Sequence, residues 1–175
     1  MQTNFEIQDI TLDTSNDYIV AALATLYHES YMAWQKQAGN EGGMIDEYDA
    51  PDIEGWRDRI PKSDDKTHIR AIFNTSGDPI AFADFGPKAG SHETAELQHL
   101  YVHPDHWNEG LGTKLFNDAV ETLRQDGYKS LHLEIEGEEE GLIDFYKKRG
   151  CHEIPGDADA DDYDLQIRLF EYNLE

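Results

Sequence analysis

The sequence predicts an α/β fold: a mixed sheet carrying helices on both of its faces. Three observations lead there. Residues 4–11 and 129–135 alternate apolar and polar side chains, as half-buried strands do. Between them lie segments whose apolar residues return every three or four positions, the period of an amphipathic helix. The 175 residues suffice for one domain with its own core, and no repeat or long Gly/Ser- or Pro-rich linker divides them, so residues 1–175 read as a single domain.

The elements follow in order. Residues 4–11 (NFEIQDIT) alternate and suit a first strand. From Asp17 to about Ala38, the residues Ile19, Val20, Leu23, Leu26, Tyr27, Tyr31 and Trp34 fall at helical spacing. Residues 39–51 are rich in Gly and acid and read as a loop. A short helix over 52–60 stops before Pro61. Residues 67–74 and 79–86 read as two strands joined by a tight turn at SGDP. A strand over 94–103 ends at Pro104, and a helix from Thr113 to Gln125 puts Leu115, Phe116, Ala119, Val120 and Leu123 on one face before Gly127 closes it. Residues 129–135 alternate again, Gly141 to Arg149 is a short helix, and 163–174 gives a last strand or pair of strands.

Composition narrows the function classes. With 37 Asp+Glu against 14 Lys+Arg, the formal net charge is -23 and the pI is near 4.4. Such a surface repels nucleic acid, whose phosphates need Lys and Arg, and it favours a cationic substrate by steering. Solvation in a salt-tolerant host accounts for the same number. Mean hydropathy is -0.72, and no apolar run approaches the roughly 18–20 residues that span a bilayer. The start, MQTNFEIQDITLD, has neither a basic nor an apolar leader region, so a cytoplasmic location is expected. The single cysteine, Cys151, leaves no internal disulfide and no multi-cysteine zinc site.

The chemistry concentrates at 94–125, with HPDHWNEGLGTKL at its centre. Asn108, Glu109, Gly110, Leu111, Gly112 and Thr113 fall where the chain leaves a strand and enters a helix. Glycines there let the backbone approach a ligand and turn several N–H groups to one point. The helix N-terminus adds partial positive charge, so the place suits a pyrophosphate. The third glycine of a dinucleotide fingerprint and the Gly-Lys-Ser/Thr of a P-loop are both missing.

The run LYVHPDHWNEGLGTKL resembles the signature of the Gcn5-related N-acetyltransferase (GNAT) family, and LIDFYKKRGC resembles the same family's Tyr-bearing helix. The resemblance extends over about residues 67–154. It implies a largely antiparallel central sheet, splayed between strands 94–103 and 129–135 to take acetyl-CoA as co-substrate. It also implies direct transfer of the acetyl group to a primary amine in a ternary complex. By position it assigns Leu100, Tyr101 and Val102 to the strand that holds the pantetheine and the thioester carbonyl. Asn108 to Thr113, preceded by Trp107 in the usual Gln/Arg place, become the pyrophosphate loop. Tyr146 becomes the phenol that faces sulfur and can protonate the departing thiolate. Glu96 lies 11 residues before Trp107, the spacing of the family's catalytic glutamate. A carboxylate there could take the proton that an ammonium must lose before attack. The first two helices and their loop would wall the acceptor pocket, which offers Tyr31, Trp34 and Tyr48 as substrate-binding residues. Trp107, Asn108, Glu109, Glu139 and Cys151 depart from the family's common residues.

The other reading is a non-catalytic CoA-binding sensor or interaction module of the same fold. No metal site is expected: His99, His103 and His106 span a strand end and a Pro turn rather than one helical face. DADADD at 157–162 lacks the glycine and closing glutamate of a calcium loop and reads as an acidic turn. The acceptor is read only as a small-molecule or peptide amine. Family members are often dimers, and whether this chain forms a homodimer stays open.

Overall fold

The computed structural model describes residues 5–37, 50–61, 66–136, 139–155 and 167–175. Within them the chain runs β1 (Ile7–Ile10), α1 (Asp17–Gln37), α2 (Ile53–Arg59), β2 (His68–Phe73), β3 (Pro79–Pro87), β4 (Thr94–Val102), α3 (Leu111–Gln125), β5 (Ser130–Glu136), α4 (Glu140–Lys147), β6 (His152–Glu153) and β7 (Ile167–Asn173). The strands lie in one sheet in the order β1-β2-β3-β4-β5-β7-β6. β1/β2, β5/β7 and β6/β7 are antiparallel. β2 and β3 are joined through a turn in which Asn74 N–H donates to the Asp78 carbonyl at 2.9 Å. β3 and β4 meet head to tail, with Lys88 N–H on Thr94 O at 3.0 Å and His103 N–H on Ile80 O at 2.9 Å. β4 and β5 run parallel. A parallel pair requires a crossover, and α3 supplies it.

The chain forms two compact units, residues 1–84 with 99–118 and residues 85–98 with 119–175; β3, β4 and α3 pass from one to the other. In the first, Asn16 starts α1 by accepting the Ile19 N–H at 2.9 Å. Asp17 in its first turn and Lys36 in its last complement the helix dipole. The helical period then buries Val20, Leu23, Ala24 and Leu26 among Ile10, Ile69, Ala71 and Phe82, with Trp56 and Ile60 completing the cluster. Each Val, Leu, Ile or Phe side chain removed from water here contributes roughly 1.5–3 kcal/mol. α2 is capped by Asp52, whose Oδ1 accepts the Gly55 N–H at 2.9 Å. It ends at Ile60, held extended (ψ 117) by the proline that follows. β3 is buried at every position from Pro79 to Gly86, as an interior strand covered on both faces must be.

In the second unit, α3 closes in a Schellman arrangement: Tyr128 N–H reaches Leu123 O at 3.1 Å and Gly127 N–H reaches Arg124 O at 3.1 Å. β5 pairs with β7 along its whole length, from Ser130↔Asn173 to Glu136↔Ile167. Leu131, Leu133, Ile135, Ile143, Tyr146, Cys151, Phe170 and Leu174 are buried here.

Three details differ from the sequence reading. α3 begins at Leu111, two residues before the amphipathic period, because the turn ahead of it already has the hydrogen bonding of a helix start. Pro104–His106 is a 3₁₀ turn. β6 is two residues long, too short for any periodicity to announce. The loop at 39–49, the acidic turn at 157–162 and Tyr48 lie outside the described residues.

Candidate active site

The turn between β4 and α3 is built by its own sequence. Pro104 takes the first position of the 3₁₀ turn, where its missing N–H goes unneeded. His103 Nδ1 accepts the Asp105 N–H at 3.2 Å. The indole N–H of Trp107 donates to the Val102 carbonyl at 2.7 Å and ties the turn back to the strand end. Asn108 (φ 64) and Gly110 (φ 82) both stand in the left-handed region. Asn is among the few side chains that tolerate it, and Gly does so freely. A Cβ at Gly110 would meet nothing within 4 Å, so the backbone there is open as well as left-handed. The first rung of the helix is Lys114 N–H to Gly110 O at 3.0 Å, and the N–H groups of Leu111, Gly112 and Thr113 precede that ladder. Successive N–H groups in such a turn form a concavity for an anion. Glu109, between Asn108 and Gly110, has Oε2 3.1 Å from Nδ1 of His106.

Glu96 is half-buried, and its Oε1 lies 3.4 Å from Nζ of Lys88. In register it sits opposite His132. His132 Nε2 in turn is 3.1 Å from Glu171 Oε2, and His152 Nε2 is 3.6 Å from Glu171 Oε1. Glu96 thus stands in a row of polar side chains that crosses β4, β5, β7 and β6. Among the described residues the β4/β5 register runs from Thr94↔Ser130 to Leu97↔Leu133, whereas β4 continues through Leu100 and Tyr101 to Val102.

Tyr146 is buried at 6% exposure. Burial pushes its phenol well above the ordinary 10.0, the nearby Cys151 adds to the rise, and Arg149 opposes it. Burial likewise pushes the Cys151 thiol from 9.0 up to about 11, with Arg149 again opposing.

Tyr31 is buried, stacked on Tyr27 with ring centroids 6.0 Å apart and tilted against Trp34 at 5.7 Å. That stack leads into a larger aromatic group on α1, α2, β3 and β4. Tyr27 lies edge-on to His99 at 5.3 Å and to Tyr101 at 5.2 Å, and Trp56 and Phe82 close the cluster from inside. A carboxyl stands in it. Asp84, with 3% side-chain exposure, has Oδ2 3.2 Å from His99 Nδ1 and 3.4 Å from Arg59 Nη1. His103 and His106 are engaged elsewhere, His103 Nε2 at 3.5 Å from Glu29 and His106 with Glu109. The three histidines considered together in the sequence therefore go to three different acids.

The sequence model of the acetyltransferase (GNAT) family matches residues 22–151. The chain belongs to that family. An uncharacterized N-acetyltransferase of Methanocaldococcus jannaschii is 30% identical over 86 residues, a match that covers 47% of this chain and 38% of that relative. The chain thus spans well under half the length of this curated relative. Among solved structures, an acetyltransferase from Streptococcus agalactiae superimposes with a TM-score of 0.71 at 19% identity, covering 98% of this chain and 99% of the other. The PaiA N-acetyltransferase from Thermoplasma acidophilum, in complex with coenzyme A, gives 0.68 at 16% identity over 98% and 99%. The ribosomal-protein-S18-alanine N-acetyltransferase from Escherichia coli gives 0.68 at 15% identity over 97% and 94%. At these identities the likeness is one of fold, and it is the GNAT fold: a seven-stranded, mostly antiparallel sheet with four helices. GNAT enzymes use acetyl-CoA to acetylate amines. No helix among the described residues is long and apolar enough to cross a membrane.

The Asp84–His99 pair is absent from the residues that a GNAT resemblance nominates. One signal for it exists in the sequence: Asp84 is the lone acid in PIAFADFG, a strand otherwise apolar on both faces. His99, three residues after Glu96 on β4, carries no local mark, because its partner comes from a neighbouring strand.

Proposed function

We propose that this chain is an acetyl-CoA-dependent N-acetyltransferase acting on a primary amine, by direct transfer within a ternary complex. The observation that carries the reading is the left-handed pair Asn108 and Gly110 at the mouth of α3. This geometry suits the pyrophosphate of CoA, and residues Asn108 to Thr113 would hold it with main-chain N–H groups. Trp107 supports that role by fixing the turn to Val102. Glu109 is compatible with it, since its carboxylate is engaged by His106. Leu100, Tyr101 and Val102 are the stretch of β4 proposed to hold the pantetheine arm, and a Val102 N–H aimed at the thioester carbonyl would stabilise the charge that develops there.

Tyr146 is the phenol proposed to serve the departing thiolate. Its raised pKa keeps the hydroxyl protonated throughout the neutral range, so it is available as a donor. Glu96 is the carboxylate that the resemblance proposes as proton acceptor, and Lys88 is the group it would have to leave in order to act. Tyr31 and Trp34 are proposed to line the acceptor side. A cationic acceptor such as a polyamine, an amino sugar or a lysine side chain fits a chain of net charge -23.

Titration of acetyl-CoA by calorimetry, at low and at roughly molar salt, tests the cofactor. A free-thiol assay over spermidine, glucosamine and a lysine peptide tests the transfer. Micromolar binding with thiol release on addition of an amine supports the reading. Binding with no release from any amine replaces it with a CoA-binding module, and no binding at either salt removes both.

A further inference from the structure

We propose that His99 takes the proton of the acceptor ammonium at Nε2, with Asp84 as its positioning residue. This deepens the acetyl-transfer reading and rests on it.

The placement begins with β3. An interior strand calls for apolar side chains at every position, and Asp84 puts a carboxyl there with 3% exposure. Buried ion pairs are often no more stabilising than apolar residues of the same volume, so stability alone does not account for the choice. What the carboxyl does is hold a ring. Its Oδ2 stands 3.2 Å from His99 Nδ1, and Arg59 at 3.4 Å takes part of the same oxygen. With Nδ1–H donated to Asp84, the neutral imidazole carries its lone pair on Nε2. Among the described residues Nε2 has no hydrogen-bond partner.

The surroundings of that nitrogen are aromatic. His99 has 16% side-chain exposure. Tyr27 and Tyr101, each part-exposed, flank it at 5.3 and 6.1 Å, over the buried Trp56 and Phe82. Ring faces attract an organic ammonium by cation–π contact, so the wall that would receive the acceptor leads to the base that would deprotonate it. The charged and titratable groups facing His99 are Asp84 from β3, Arg59 from α2, Tyr27 from α1 and Tyr101 from β4 itself.

The step balances. An N–H bond of the ammonium breaks, an N–H bond forms at Nε2, and the positive charge passes to an imidazolium stabilised by Asp84. The freed lone pair attacks the thioester carbonyl, the C–S bond breaks, and the proton lost as the amide forms balances the one that Tyr146 gives to the CoA thiolate. His99 returns its own proton to water. An Asp–His arrangement of this kind uses the acid to fix tautomer and orientation while the ring moves the proton. Glu96, three residues earlier on β4, is instead in an ion pair with Lys88.

The test measures kcat and KM for acetyl-CoA and for the best amine of the panel above, from pH 6 to 9, on the parent chain and on His99→Gln, Asp84→Asn and Glu96→Gln. His99→Gln should lower kcat at pH 7 by about 10²-fold or more, leave CoA binding unchanged by calorimetry, and recover as pH rises and the acceptor deprotonates in solution. Asp84→Asn should move the acid limb of the profile without removing it, and Glu96→Gln should keep that limb. A His99→Gln profile that parallels the parent's, or loss of the acid limb in Glu96→Gln alone, overturns the assignment while acetyl transfer stands. A parent that binds CoA but acetylates no amine removes the transfer reading and this one with it. Nitrogen NMR of the parent is independent of folding in any variant: it should place the neutral ring's proton on Nδ1, and a proton on Nε2 refutes the proposal.

Discussion

Gly110→Ala isolates the backbone of the turn proposed to bind the CoA pyrophosphate. At φ 82, Gly110 holds a conformation that costs an L side chain about 1–2 kcal/mol. A Cβ there meets nothing within 4 Å, so no steric clash adds to that figure. The penalty can appear in either of two measurable places. If the turn keeps its shape, the fold bears it and Tm falls by about 2–4 °C per kcal/mol in a chain of this size. If the turn relaxes towards right-handed backbone, the fold is spared, but the N–H groups ahead of α3 swing away from a common point. Affinity for CoA then drops by about 5–30-fold, the same 1–2 kcal/mol expressed in an equilibrium constant. Thermal denaturation and calorimetric titration on one preparation read both. Gly110→Asn is the companion variant and should show smaller losses, because Asn tolerates the left-handed region, as Asn108 already does. A Gly110→Ala chain with the parent's Tm and the parent's CoA affinity would refute the claim that this backbone geometry holds the cofactor.

Further expectations concern the rest of the molecule. Tyr146→Phe should lower kcat more than it weakens CoA binding, and equal losses in steady-state kinetics and calorimetry would remove its role at the thiolate. Cys151 has its folded-state pKa raised from 9.0 to about 11. The unfolded chain therefore binds fewer protons than the folded one across that window, and the stability the group contributes, complete below pH 9, is lost as pH rises towards 11. Denaturant titrations at pH 8 and 10.5 should show a drop that is smaller in Cys151→Ala; an unchanged drop would assign it to other groups. The net charge of -23 opposes compactness through self-repulsion. Molar KCl should therefore raise Tm, and a Tm that falls steadily with added salt would show that specific ion pairs such as Arg57–Asp17, at 2.8 Å, outweigh the general repulsion.

Local pattern was enough for the elements and for the family. A helix such as α1 announces itself because apolar residues at its period must lie on one face, and β1 and β5 do so by alternation. The turn between β4 and α3 was legible too, since the strand end, Pro104, Asn108, Gly110 and Gly112 are neighbours in the chain and shape it through their own backbone. Two GNAT motifs in order then tied these elements to acetyl-CoA. Side-chain partnerships and strand pairings were beyond that reach. Nothing in NEGLGTKL says that Glu109 turns to His106, and nothing around Glu96 says that Lys88 stands 3.4 Å away. β6 is fixed by its pairing with β7 rather than by its two residues. The pairing of Asp84 with His99 joins positions 15 residues apart and depends on how β3 and β4 lie side by side. The sequence by itself determined which segments become strands, helices and turn, because those depend on short-range periodicity and backbone preference. Only the tertiary structure decided which buried acid meets which imidazole, because that depends on strand register, and no single segment carries it.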